Sequence, residues 1–203
     1  MKRRSFAALF AAVAALPTVA AVRQEQAAHT VTVCTEALPE SNYLKARGQA
    51  SLIFAMIGIG LKWRISAPCP QDALRVTLSS GAPATVQPGA LAYALPYEGT
   101  HIVVFIDRIS RVVPDDKLPT VLGYVLAHEI THILQGVSRH SESGIMKAHW
   151  GPGDFASMNG FRLCFTKADI SLIYDGLAQR RRNLTTWRQI TEDRTIGNSE
   201  THE

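Results

Sequence analysis

Residues 120 to 134 form an apolar run with helical periodicity, and they carry His128, Glu129 and His132 in the pattern HExxH. No other feature of the chain constrains its fold as strongly. On a helix, positions four apart share a face, so the two imidazoles converge at a separation that one zinc ion can bridge. Glu129 lies beside them, where it cannot ligate the same ion but can reach a water held by it and take its proton as general base. Gly136 follows at the point where a left-handed cap would end the helix. The motif therefore belongs to a packed helix rather than to a solvated His/Glu face. His140 is the candidate third ligand. Glu142 in the same loop, and Asp154 or Asp169 as a carboxylate ligand, are the alternatives.

The remaining composition places this helix in one exported domain. The chain has 203 residues, 46% of them hydrophobic, enough to bury a single core. Residues 1 to 21 open with Met-Lys-Arg-Arg, continue with an almost wholly apolar stretch from Ser5 to Leu16, and end in Val19-Ala20-Ala21, the layout of a cleavable signal peptide. The apolar stretch is short and alanine-rich for a membrane span, an uncleaved anchor being the alternative, and no other stretch approaches one. Residues 22 to 180 are then the catalytic domain and residues 181 to 203, polar and aperiodic, a flexible tail. Three of the 21 lysines and arginines lie in the signal region with no acid, which leaves 18 against 17 acids, or +1, in the exported part. The basic pI of about 9.1 thus carries no implication of nucleic-acid binding. Three cysteines in an oxidising compartment allow one disulfide, for which Cys34 with Cys69 is the preferred pair. Cys164, between Leu163 and Phe165, reads as a buried thiol.

Alternating β-branched and polar residues predict a first strand at 30 to 36, followed by a helix capped by Ser41 and running from Tyr43 to Ile57, with apolar positions Leu44, Ile53, Phe54 and Ile57. Strands are predicted at 59 to 65 and 74 to 79, and strand, helix, strand at this spacing implies a parallel pair with a crossover. Residues 89 to 96 and 101 to 107 form an antiparallel hairpin, the more apolar strand interior. Ala90, Leu91, Ala92, Tyr93 and Ala94 are then left on the sheet edge, where an extended peptide can add as a strand; an ordinary edge shielded by its loops is the plain alternative. Tyr93 and His101 read more simply as packing and structural residues. Residues 114 to 119 carry helix-start chemistry, acids followed by proline. Leu122, Leu126, Ile130 and Ile133 are expected to pack the metal helix on the sheet. After Met146 come Lys147 to Trp150, a glycine-rich turn, and a capping box, Thr166 to Asp169, that starts a last helix with Ile170, Ile173 and Leu177 on one face.

These residues give the chain a resemblance to the metzincin metallopeptidases, most nearly the matrixin-like ones. His128, Glu129 and His132 match that family's zinc helix. His140-Ser141 followed by Gly144-Ile145-Met146 looks like its third histidine and Met-turn, and Gly89 to Ala94 resembles its substrate-binding edge strand. The order of elements fits from residue 30 to residue 180. The family usually has glycine three residues after the second histidine and a third histidine three residues later. Here Gln135 holds the glycine position and the histidine comes two residues further on, a variant HExxH-x7-H with a longer turn.

The resemblance implies an α+β, zincin-like single domain: a twisted, mixed five-stranded sheet with an antiparallel edge strand, two long helices and a C-terminal helix. It implies one catalytic zinc on His128, His132 and His140, with Met146 as an apolar floor beneath it. It also implies a secreted or periplasmic endopeptidase acting on an extended polypeptide, with His149 and Trp150 by position at the wall of a side-chain pocket. A packed tryptophan and a surface histidine are the plainer reading of that pair. Two other functions fit the same residues: a zinc-loaded fold that binds a peptide or partner without cutting it, and a zincin acting on a non-protein amide.

Overall fold

Strand β1 (Thr30–Thr35) buries Val31 and Val33 on one face and then, at its end, Cys34 and Thr35 as well. The strand lies inside the sheet with a parallel neighbour on each side, and that position explains the burial on both faces. In this computed structural model the described residues are 29–36, 41–65, 68–95 and 98–199, with side chains described to residue 186. The expected signal segment, and Pro96 and Tyr97 at the hairpin turn, lie outside them.

Helix α1 (Ser41–Ala55) crosses from β1 to β2 (Gly60–Ile65), which pairs parallel with β1, and β3 (Leu74–Ser79) lies parallel on the other side of β1. The buried face of α1 is Tyr43, Ala46, Ala50, Ile53 and Phe54, whereas Leu44 is turned to solvent. Steps of three and four from Ile53 lead back through the two alanines to Tyr43, so the small residues, not Leu44, mark the inner face. Strand β4 (Ala92–Ala94) pairs antiparallel with β5 (His101–Phe105), and β5 pairs parallel with β3. The sheet order is β2-β1-β3-β5-β4, a mixed five-stranded sheet with the antiparallel strand at its edge. Cys34 of β1 is bonded to Cys69 in the β2–β3 connection, with the Cα atoms 6.0 Å apart.

Several elements differ from the sequence expectation. The edge strand is three residues long rather than the eight of residues 89 to 96, although Phe105 N donates to Leu91 O and Leu95 N to His101 O at its two ends. The interior strand stops at Phe105, and helix α2 (Ile106–Val112) follows without a break. Ile106 and Ile109 are three apart, and at that length a helical step is hidden at the end of an apolar run. Arg108 of α2 donates to the carbonyls of Gln87 and Ala90 at 2.9 and 2.7 Å and so braces the approach to β4. His101 is exposed and paired with Glu98, and Tyr93 packs its ring on Phe105, both structural roles.

Helix α3 (Leu118–Gln135) carries HExxH. Asp115 and Asp116 fall in the turn before it, and its first turn holds Pro119 and no acid. Every residue from Val121 to Gln135 is buried, the condition of a helix enclosed on all sides rather than amphipathic on a surface. Leu122, Leu126, Ile130 and Ile133 are in the core as expected. The enclosure, however, comes chiefly from α1 and from the last helix, with β4 and β5 covering the remainder. Gly136 ends the helix at φ 67°, ψ 19°, with its N–H bonded to His132 O, a left-handed cap that glycine adopts without a Cβ clash.

The glycine-rich turn after Trp150 becomes a short helix, α4 (Pro152–Met158), followed by a 3-10 turn (Asn159–Phe161). The next residues run extended, with Leu163 and Phe165 inside. Cys164 between them points outward and is exposed, contrary to the expected buried thiol; alternation in an extended segment sends every second side chain to solvent. The capping box forms, Thr166 N donating to Asp169 and Asp169 N to Thr166 Oγ1, and helix α5 (Lys167–Ser199) follows. The helix continues through residues 181–199, where sequence alone predicts an irregular tail. Ile173 and Leu177 are buried on its inner face, with Ile170 packed at the margin.

Candidate metal centre

His128 and His132 project from the second half of α3, one turn apart, and are 8% and 7% exposed. Each ring is tethered through Nδ1: His128 to the carbonyl of Ile145 at 2.8 Å and His132 to that of Val137 at 3.2 Å. A carbonyl accepts only, so Nδ1 carries the hydrogen in each ring and the Nε2 lone pair is the free one. The two Nε2 atoms face each other at 3.0 Å. Two imidazole nitrogens on one tetrahedral zinc stand about 3.3 Å apart, given Zn–N bonds of about 2.0–2.1 Å.

The chain then turns back and presents His140 to the same point. Its ring centroid is 4.9 Å from that of His132 and 5.4 Å from that of His128. One ligand nitrogen from each of the three residues lies within 4.8 Å of the others. His140 is exposed, so rotation of its side chain can close the remaining gap. Glu142, Asp154 and Asp169 do not join this group. Asp154 accepts hydrogen bonds from Lys147 Nζ and Gly151 N, and Asp169 is occupied by four donors from Arg139, Ser141 and Thr166.

The electrostatics suit a cation. Burial, with the neighbouring His132 and His140, takes the His128 imidazole down to about 3 despite the Ile145 carbonyl. Burial also lowers His132 and His140. All three rings are therefore neutral near pH 7 and can accept a metal without first losing a proton. Glu129 is 7% exposed, and among the described residues its carboxyl has no hydrogen-bond or ion-pair partner. Burial pushes it up to about 8. An unpartnered buried carboxyl is costly as an anion, and a dication beside it supplies the missing charge. The three imidazoles thus fit a zinc ion as donor set.

The other expected site residues lie around this centre. Ile145 and Met146 are fully buried, and the carbonyl of Met146 accepts from Ser141 N at 2.8 Å. Trp150 stands edge-on to His128, ring centroids 5.6 Å apart, while His149 is exposed near His140 and helps lower it. Ala92, Tyr93 and Ala94 pair with Val104, Val103 and Ile102 of β5. Antiparallel strands alternate inward and outward groups. With Leu91 and Leu95 bonded to β5, the N–H and C=O of Ala92 and Ala94 face the open edge. Ala90 sits just before the strand, its N–H bonded to Gln87 O and its carbonyl held by Arg108. A cleft of about 260 Å³ opens farther along α3, lined by Val112, Val113, Pro114, Val121, Phe155 and Ala156 among others. It is two helical turns from His128, about 10 Å by helix rise. The roles of Arg108 and Asp169 escaped sequence reading, which offers Asp169 only as part of the capping box and as an alternative carboxylate ligand.

No family model matches this chain, and no curated protein matches it. Among solved structures, the chain is similar to archaemetzincin from Methanopyrus kandleri, with 15% identity, 74% of this chain and 97% of that chain covered, and a TM-score of 0.50. Myroilysin aligns at 16% identity over 70% of this chain and 65% of its own, with a TM-score of 0.36. At such identity the likeness is one of fold: the chain shares the fold of that archaemetzincin.

Proposed function

We propose that this chain is a secreted zinc-dependent endopeptidase of matrixin-like type, with the variant spacing HExxH-x7-H. The observation that carries the reading is the convergence of three neutral imidazoles, two of them fixed by backbone carbonyls, beside a buried carboxyl with no partner. The fold shared with archaemetzincin supports a zinc-peptidase function at the level of architecture. His128, His132 and His140 hold the ion. Bound there, zinc supplies Lewis acidity, polarising a carbonyl and lowering the pKa of water to about 7.

The chain's own residues do the rest. Glu129, one position from His128 on the same rigid helix, accepts the proton of the attacking water on its carboxylate and delivers it to the leaving amine. An extended substrate adds to β4, where the outward backbone groups of Ala92 and Ala94 offer strand hydrogen bonds. Trp150, against His128, and the exposed His149 flank the pocket for the side chain that follows the cleaved bond. Met146 closes the site from below as an apolar surface. Export is supported by the N-terminal charge and hydropathy pattern and by the Cys34–Cys69 disulfide. No helix among the described residues is long and apolar enough to cross a membrane.

The test is turnover of an unstructured polypeptide by the exported protein. Cleavage at internal bonds is expected, lost on chelation and restored by zinc. Glu129→Gln should lower kcat about 10²–10⁴-fold, the usual contribution of general acid–base catalysis, with the zinc still bound. A zinc-loaded protein that binds peptides and cuts none would overturn the assignment.

A further inference from the structure

We propose that Asp169, at the start of α5, is the positioning residue that fixes His140 at the metal site. The proposal rests on His140 being the third ligand. His128 and His132 are each oriented by a carbonyl on Nδ1, but among the described residues the His140 ring has no hydrogen-bond partner. Its place must come from its backbone, and its two chain neighbours are tied to one atom. Arg139 Nη1 and Ser141 Oγ both donate to Asp169 Oδ1, at 3.1 and 2.6 Å.

Capping alone does not account for this arrangement. Start-of-helix bonding uses the other oxygen, Oδ2, which accepts from Thr166 N and Thr166 Oγ1 at 3.0 and 2.7 Å. Oδ1 is thus left wholly to the loop that carries His140. The carboxylate is completely buried, and its four donors fill its accepting capacity. Gln135, the last residue of the metal helix, donates to the Asp169 carbonyl at 3.2 Å, so Asp169 is also keyed to the element that holds His128 and His132. One residue therefore references all three ligands to a common frame. A point that holds both flanks of an otherwise irregular loop restricts where the ring between them can stand, which is how supporting groups tune a metal site.

The experiment is zinc affinity by competition with a chromogenic chelator, alongside the melting temperature of the metal-free protein. The variants are His140→Ala, Asp169→Asn, Ser141→Ala, and each of the last two combined with His140→Ala. Asp169→Asn should weaken zinc binding about tenfold, the low end for loss of a supporting partner, and Ser141→Ala by a smaller factor. Neither should weaken it further once His140 is gone, whatever happens to the melting temperature. A purely structural role would instead leave zinc affinity unchanged, or multiply in full with His140→Ala, and either result overturns the proposal. If Asp169→Asn does not fold, Ser141→Ala and Arg139→Met decide, and unchanged affinity in both overturns it. If His140→Ala itself binds zinc as the wild type does, the ligand assignment fails and this proposal with it. If His140→Ala loses zinc while Asp169→Asn does not, only the positioning role fails.

Discussion

Glu129 is a buried acid whose charge is governed by burial alone. In the metal-free protein its folded pKa stands at about 8 against an ordinary 4.5, because burial disfavours the anion. The native state then keeps a proton that the unfolded chain releases. The contribution of protonated Glu129 is complete below pH 4.5 and is lost as pH rises towards 8. Below pH 6.5 the lowered imidazoles of His128, His132 and His140 gain stability as pH rises and offset this loss. Between about 6.5 and 8 the Glu129 effect stands alone, so melting of the metal-free protein should drop there, and Glu129→Gln should flatten the fall. Zinc should do the same for the wild type, since a dication at His128 and His132 stabilises the carboxylate. A metal-free melting temperature that does not fall between about pH 6.5 and 8 in the wild type, or that falls equally in Glu129→Gln, would contradict the solvation argument. Asp169 is the opposite case. Burial raises it, but hydrogen bonds from Ser141, Thr166 and Arg139 outweigh that and hold it below the usual range.

Among the elements, the site depends on how closely α3 is gripped. A Cβ on Gly176 of α5 would run into the carbonyl oxygen of Leu134 near the end of the metal helix. That neighbour is backbone and cannot swing aside. Gly176→Ala should therefore destabilise by about 1–3 kcal/mol, the range for overpacking, measured by denaturant unfolding. A neutral result would mean that α5 sits less tightly on α3 than described. These contacts also show what was legible in the sequence. The five strands, α1, the end of the metal helix at Gly136 and the capping box of α5 are local patterns, and each was readable from period, cap or turn chemistry. Helix α2 was hidden because Ile106 and Ile109 continue an apolar strand. Residues 181–199 lack an apolar stripe and yet extend a helix begun by a strong cap. The link from Asp169 to Arg139 and Ser141 spans about thirty residues of chain, and nothing in either segment alone announces it. For the candidate site, HExxH brings His128 and His132 to one face by helical geometry alone. That His140, rather than Glu142, Asp154 or Asp169, stands beside them is visible only in the fold.

In the whole molecule, the strand-rich half and the helical half meet along α3, and the three-histidine candidate site lies where the return loop crosses it. The Cys34–Cys69 bond ties the interior strand β1 to the β2–β3 connection, at a sequence separation of 35. Loop entropy at that length predicts a loss of about 3–4 kcal/mol in Cys34→Ser or on reduction. A melting temperature insensitive to reductant would show that the sheet does not depend on it. X-ray absorption at the zinc edge of the loaded protein reads the proposed metal site most directly. One zinc per chain is expected, with three imidazole nitrogens at about 2.0–2.1 Å and one further light atom, falling to two imidazoles in His140→Ala. A sulfur scatterer, two imidazoles in the wild type, or a spectrum unchanged by His140→Ala would contradict it.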